Sequence, residues 1–185
     1  MKKTLGVVAA AAMAALPMAS VLAVDNLTFT DNLAITIDSV CTLTRQTSGH
    51  AAGTDAGSWS GDTLSKTITA GQAYADLGSS SFNVQCNNDK GYKVTLDAEG
   101  LEATGVTNGI TYITTAAAPT NAKSEWGVKI GTTYITDGEV VKTSSTATAN
   151  AGDDFSVTYS VSAKDGQAAG SYEGHVTYTL AQLNA

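Results

Sequence analysis

Alternation of apolar and polar residues at a period of two dominates this chain. Phe155, Val157, Tyr159 and Val161 alternate with Ser156, Thr158, Ser160 and Ser162. Phe82, Val84 and Cys86 repeat the pattern, as do Tyr92, Val94 and Leu96, and Trp126, Val128 and Ile130. Tyr172, Gly174, Val176, Tyr178 and Leu180 share one face of a last segment. A period of two places every second side chain on the same side of a strand, whereas a helix needs recurrence near 3.6. No segment after Ala23 carries a helical stripe over three turns. Eight or nine short strands with regular turn signals predict an all-β, immunoglobulin-like β-sandwich.

The turns between these segments have their own chemistry. Asn108-Gly109 precedes Ile110-Thr111-Tyr112-Ile113, and Asp137-Gly138 separates Thr133-Tyr134-Ile135 from Val140-Val141. Both dipeptides tolerate positive φ, so each predicts a hairpin. Asn87-Asn88-Asp89-Lys90-Gly91 reads as a turn rather than a ligand set. Long Gly/Ser/Thr/Ala stretches at 47–61 and 143–153 read as loops.

Residues 1–23 read as a secretory signal peptide. Lys2 and Lys3 precede an apolar run from Leu5 to Leu16, Pro17 ends it, and Ala23 offers a small cleavage residue. The run is shorter than the roughly 20 residues a membrane-spanning helix needs. This segment carries two lysines and no acid, so its removal takes the formal charge from -7 to -9. An acidic, exported chain lacks the basic face that nucleic acid requires. With 2 Cys and 2 His, a structural zinc cluster is not expected. Export places Cys41 and Cys86 where disulfides persist, and one internal bridge is the simplest use of them. A reactive thiol or an intermolecular bridge is the alternative.

No catalytic constellation is legible. His50 lies in the first loop and His175 on the last strand, and neither belongs to a nucleophile or metal motif. No calcium-loop spacing occurs, so no metal, cofactor or enzymatic activity is expected. Trp126 has core periodicity, while Trp59 in its loop is the better surface candidate. Asn26-Leu27-Thr28 matches a glycosylation acceptor within a strand-like segment.

The ends of the chain carry the functional signal. Leu27, Phe29, Leu33, Ile35 and Ile37 share one parity, and Asp31 interrupts them. Residues 24–33 therefore form a candidate extra strand ahead of the domain at 34–185. The final strand closes within five residues of Ala185, and nothing strand-like follows it. A surplus strand at one end and a missing one at the other permit head-to-tail polymerisation by β-augmentation.

In Ile35-Thr36-Ile37-Asp38-Ser39-Val40-Cys41, Phe82-Asn83-Val84-Gln85-Cys86, Tyr92-Lys93-Val94-Thr95-Leu96-Asp97 and the ending Gly170 to Leu180, the chain resembles bacterial chaperone–usher pilins. The resemblance is strongest to the spore-coat-U-like group, which includes subunits of archaic pili. It implies an incomplete sandwich completed by a donor strand, with Leu27, Phe29 and Leu33 as plugs. The implied acceptor groove runs beside the last strand, with Val176, Tyr178 and Leu180 facing inward. The implied partners are identical or related subunits, a periplasmic chaperone and an outer-membrane usher. The implied role is a surface fimbria serving adhesion or biofilm formation, reached through the periplasm. The other reading is a self-contained secreted sandwich that binds a glycan or protein.

Overall fold

The computed structural model describes residues 34–46, 58–60, 63–72 and 74–184, with the backbone alone described at 58–60. The expected signal peptide at 1–23, the candidate donor strand at 24–33 and His50 lie outside the described residues. The chain divides into two units, 1–37 and 38–185, and the sandwich belongs to the second. Within the first, Ile35 and Ile37 are 85% and 81% exposed.

All regular structure among the described residues is β. The strands are β1 (Cys41–Gln46), β2 (Ser58–Ser60), β3 (Thr63–Ser65), β4 (Ala75–Cys86), β5 (Tyr92–Ala98) and β6 (Thr111–Tyr112). Then follow β7 (Glu125–Ile130), β8 (Thr133–Ile135), β9 (Val140–Ser144), β10 (Asp153–Ser162) and β11 (Val176–Gln182). The larger sheet has the order β1-β4-β10-β7-β6, with β8 added to β7. The smaller sheet has the order β11-β5-β9, and β2 and β3 form a separate ribbon. The fold is an immunoglobulin-like β-sandwich.

Burial follows the alternation in the sequence. In β5, Tyr92, Val94 and Leu96 are sealed, while Lys93 and Asp97 face water. In β4 and β10, Phe82, Val84, Cys86, Phe155, Val157 and Tyr159 supply the facing layer. Each fully buried side chain of this size stabilises by about 1.5–3 kcal/mol, so these alternating segments hold the two sheets together. Phe82 and Phe155 are cross-strand partners, and their rings stack at 5.1 Å. Trp126 is buried as its periodicity predicts, and its Nε1 donates to the Glu99 carbonyl at 2.8 Å. That bond satisfies the one polar atom of a large apolar ring.

Two of the expected hairpins are different objects. Asp137-Gly138 does turn, with Gly138 at φ 77°. Yet β8 joins the larger sheet and β9 the smaller, so this turn carries the chain across the sandwich. Asn108-Gly109 lies in a longer loop closed by the Leu101–Ile110 bridge, and β6 then pairs parallel with β7. The tight hairpin of this region is β7–β8, where Ile130 pairs with Thr133 around Gly131, at φ 58°.

Candidate functional site: an open sheet edge

Among the described residues, β1 and β11 are edge strands of opposite sheets. They meet at one end of the sandwich. Ser39 Oγ donates to Gln182 Oε1 at 2.9 Å, and Gln182 Nε2 donates back to the Ser39 carbonyl at 3.2 Å. Asn87 anchors the chain entering β1, because its Nδ2 donates to the Asp38 carbonyl at 2.9 Å. The disulfide adds a covalent tie. Cys41 and Cys86 are bonded, and they are direct partners in the β1–β4 register. The N-terminal side of the domain is thereby fixed to the edge of the sheet.

Val176, Tyr178 and Leu180 lie along β11, opposite Ala98, Leu96 and Val94 of β5. Their partners are buried, but they are only half-buried. The difference comes from position. A strand flanked on both sides is covered by its neighbours' side chains, and among the described residues β11 has a neighbour on one side, β5. Among the described residues no strand pairs with the other edge of β11, and a sheet edge of that kind beside apolar side chains is a template for an added strand.

Phe82, Tyr178, Leu43 and Arg45 form the inner wall at this edge. The Phe82 and Tyr178 rings lie 4.7 Å apart. The Tyr178 hydroxyl is 3.2 Å from that of Tyr159. Burial, and then the neighbouring Tyr159, push the Tyr178 phenol well above its ordinary range. Leu43 and Arg45 share the inward face of β1 with Cys41, opposite Val84 and Phe82. Arg45 Nε is sealed from solvent, and its charge is felt at Tyr178. Arg45 is not among the residues that the sequence singles out. Its parity with Cys41 and Leu43 is the available signal.

The other predicted residues fall as follows. The disulfide cysteines are joined, and the three β11 residues line one continuous edge. Leu27, Phe29 and Leu33 lie outside the described residues. His175 is exposed just before β11, and Asn87 to Gly91 forms the expected turn, with Gly91 at φ 83°.

Two further features belong to the described surface. Lys129 on β7 pairs with Asp76 on β4 at 3.1 Å, and Ser160 Oγ on β10 donates to Asp76 Oδ1 at 2.9 Å. The Tyr74 hydroxyl bonds both Asp76 and Lys129. Burial disfavours the Asp76 carboxylate, but bonds from Tyr74, Lys129 and Ser160 outweigh it and hold the carboxyl below its usual range. Burial likewise opposes the Lys129 charge, and Tyr74 and Asp76 overcome it, so the ammonium titrates above its usual range. Both partners stay charged at neutral pH, which suits a tie across three strands rather than proton transfer. A pocket of about 410 Å³ lies elsewhere, lined by Thr107, Asn108, Thr111, Lys123, Ser124 and Lys164 among others.

The fold is an all-β, immunoglobulin-like sandwich with one cross-strand disulfide, and among the described residues β11 is an edge strand. No family model matches the chain, and no curated protein matches it. A solved structure it is similar to is the CsuC–CsuE chaperone–tip adhesion subunit pre-assembly complex from archaic chaperone–usher Csu pili of Acinetobacter baumannii. The identity is 17%, the TM-score is 0.35, and the match covers 78% of this chain and 40% of that one. The chain thus spans less than half the length of the chain it matches.

Proposed function

We propose that this protein is a structural subunit of a surface pilus or fimbria, assembled by donor-strand complementation and serving adhesion or biofilm formation. The observation that carries the reading is the edge of β11 with which no described strand pairs, where Val176, Tyr178 and Leu180 stay half-buried. The occupant is the segment 24–33 of a second copy, whose Leu27, Phe29 and Leu33 present apolar side chains at the same period of two. Exposed Ile35 and Ile37 continue that series toward the domain. A donor reaching from one copy to the next gives a heterologous contact that does not close, and so a filament.

In this reading a periplasmic chaperone covers the edge in transit and an outer-membrane usher exchanges it for the donor. An uncovered apolar edge aggregates, which gives the chaperone a physical purpose. The disulfide supports an exported location, since such bonds persist in oxidising compartments. The protein acts by assembly, without catalysis or cofactor.

Deleting residues 24–33 is expected to abolish polymerisation, and a peptide of that sequence to restore a stable fold to the shortened chain. Undiminished assembly of the shortened chain would contradict the reading. The pocket beside Lys123 and Lys164 favours a second reading, a self-contained module binding a glycan or protein. That reading predicts a stable monomer whose β1 and β11 amides are both protected from hydrogen exchange.

A further inference from the structure

The pocket beside β6 is charged against the sign of the chain. The chain holds 17 acidic residues and 10 basic ones. Yet Lys123 and Lys164 both line this space of about 410 Å³, and among the described residues no carboxylate lines it. The nearby acids have other neighbours. Glu125 pairs with Lys123 at 3.4 Å. The Asp165 carboxylate lies against Gly71, and that of Glu102 against Gly109 at the rim. Lys123 is 71% exposed, so water screens its pair with Glu125 and leaves the ammonium open to a second anion. Lys164 makes no ion pair among the described residues.

The rest of the lining is hydroxyl and amide, from Thr107, Asn108, Thr111 and Ser124, and no aromatic ring joins it among the described residues. The three segments that build it are tied together. Gln167 Nε2 donates to the Asn108 carbonyl at 2.8 Å, and its Oε1 accepts from the Ser124 hydroxyl. The Lys164 N–H donates to Ser124 Oγ at 3.2 Å, and the Thr111 N–H donates to the Ser124 carbonyl at 3.0 Å. The walls therefore stand in one geometry before a ligand arrives, which lowers the ordering cost of binding. Such a lining offers an apolar ligand little. It suits a ligand with hydroxyls for the polar side chains and an anionic group for the ammonium groups.

We propose that this pocket binds an acidic saccharide, with Lys123 and Lys164 meeting its carboxylate and Thr107, Asn108 and Thr111 meeting its ring hydroxyls. Its place in the fold keeps it clear of the assembly edge. Thr111 belongs to β6, the opposite edge of the larger sheet from β1. Along the strands, β10 begins beside Val84, near the disulfide, and ends with Ser162 beside Glu125, next to the pocket. A donor strand on the β1 and β11 side leaves this corner open, and the site stands whether or not the chain polymerises.

The test is fluorescence anisotropy on the mature full-length chain at physiological salt. The probe is labelled hexagalacturonate, and the neutral counterpart is labelled maltohexaose. Hexagalacturonate is expected to bind at least about tenfold tighter than maltohexaose. Lys123→Gln with Lys164→Gln is expected to weaken it about tenfold. Lys93→Gln with Lys142→Gln removes the same charge from the smaller sheet and is expected to weaken it less than about twofold. Equal losses in the two double variants would mean attraction to the whole surface and would overturn the site. No binding of hexagalacturonate to the wild-type chain, or equal binding of maltohexaose, would overturn it too. Displacement of the probe by inorganic phosphate as readily as by free galacturonate would show an anion site without saccharide recognition, and would also overturn the proposal. The unheated SDS ladder of the Lys123→Gln, Lys164→Gln chain is expected to match wild type. Loss of that ladder would make the two lysines an assembly contact instead. A wild-type chain that binds the probe but gives no ladder would keep the saccharide site and defeat the donor-strand reading alone.

Discussion

The Tyr178 ring on β11 lies 4.7 Å from the Phe82 ring on β4, which joins the two sheets across the open edge. Tyr178 is thus both the last layer of the core and the floor of the proposed groove. Tyr178→Ala is expected to destabilise the isolated domain by about 2–4 kcal/mol, somewhat below the full cost of truncating a sealed aromatic. Tyr178→Phe, which loses the contact with the Tyr159 hydroxyl, is expected to cost about 1 kcal/mol or less. Denaturant unfolding of the two variants measures the difference. Equal losses would mean that the hydroxyl, not the ring, bridges the sheets.

The Cys41–Cys86 bond spans 45 residues of sequence. Chain entropy assigns it about 4 kcal/mol of stability. Reduction, or the double replacement Cys41→Ala with Cys86→Ala, is expected to lower the denaturant midpoint by a corresponding amount while leaving the β circular dichroism signal in place. The register predicts that β1 separates from β4 first, which hydrogen exchange at Leu43 and Arg45 would detect. Uniform protection in the reduced protein would show that the bridge does not hold this edge.

Much of this architecture is legible in the sequence. The period-two runs at Phe82–Cys86, Tyr92–Leu96 and Phe155–Val161 become the sealed layers of β4, β5 and β10, because alternation and burial on one face are the same fact. The turn at Gly91 is legible from its run of turn-forming residues. Sheet membership is not legible. Asp137-Gly138 has the chemistry of a hairpin turn, but positive φ at Gly138 serves equally well to cross between sheets. The parallel pairing of β6 with β7 depends on tertiary context, which local propensity does not encode. At the candidate site, the β11 residues are readable from their parity. Arg45 is obscured by its polar neighbours Thr44 and Gln46, and only the partner strand reveals which way it faces.

Asp76 titrates below its ordinary range in the folded protein. Its contribution is therefore fully present above the unfolded carboxylate value of about 3.9 and is lost as pH falls through the lower folded value. Asp76→Asn is expected to lower the melting temperature near neutral pH, and the gap from wild type is expected to narrow below about pH 3. A gap that stayed constant from pH 7 to pH 2 would show that the carboxylate charge contributes nothing. Lys129 has the opposite sign, so its share is present below its ordinary value and fades only as pH rises past it.

Four of the seven tyrosines titrate above their ordinary range. Burial is the first cause for each, and Tyr134 is pushed up to about 12. Tyr92 also donates to Asp153 Oδ2 at 2.7 Å, which further opposes its ionisation. Their stabilisation is present below about pH 10 and is lost as pH rises through the higher folded values, because the unfolded phenols ionise first. Ultraviolet titration should show the phenolate signal of these four appearing only with loss of the fold. A smooth titration of all seven near pH 10 in the folded protein would contradict their burial.

Donor-strand polymerisation is tested most directly by electrophoresis of protein recovered from the cell surface, unheated against boiled in SDS. The account predicts an unheated ladder that collapses on boiling to one band of mature mass. A single monomer band in both lanes would contradict it.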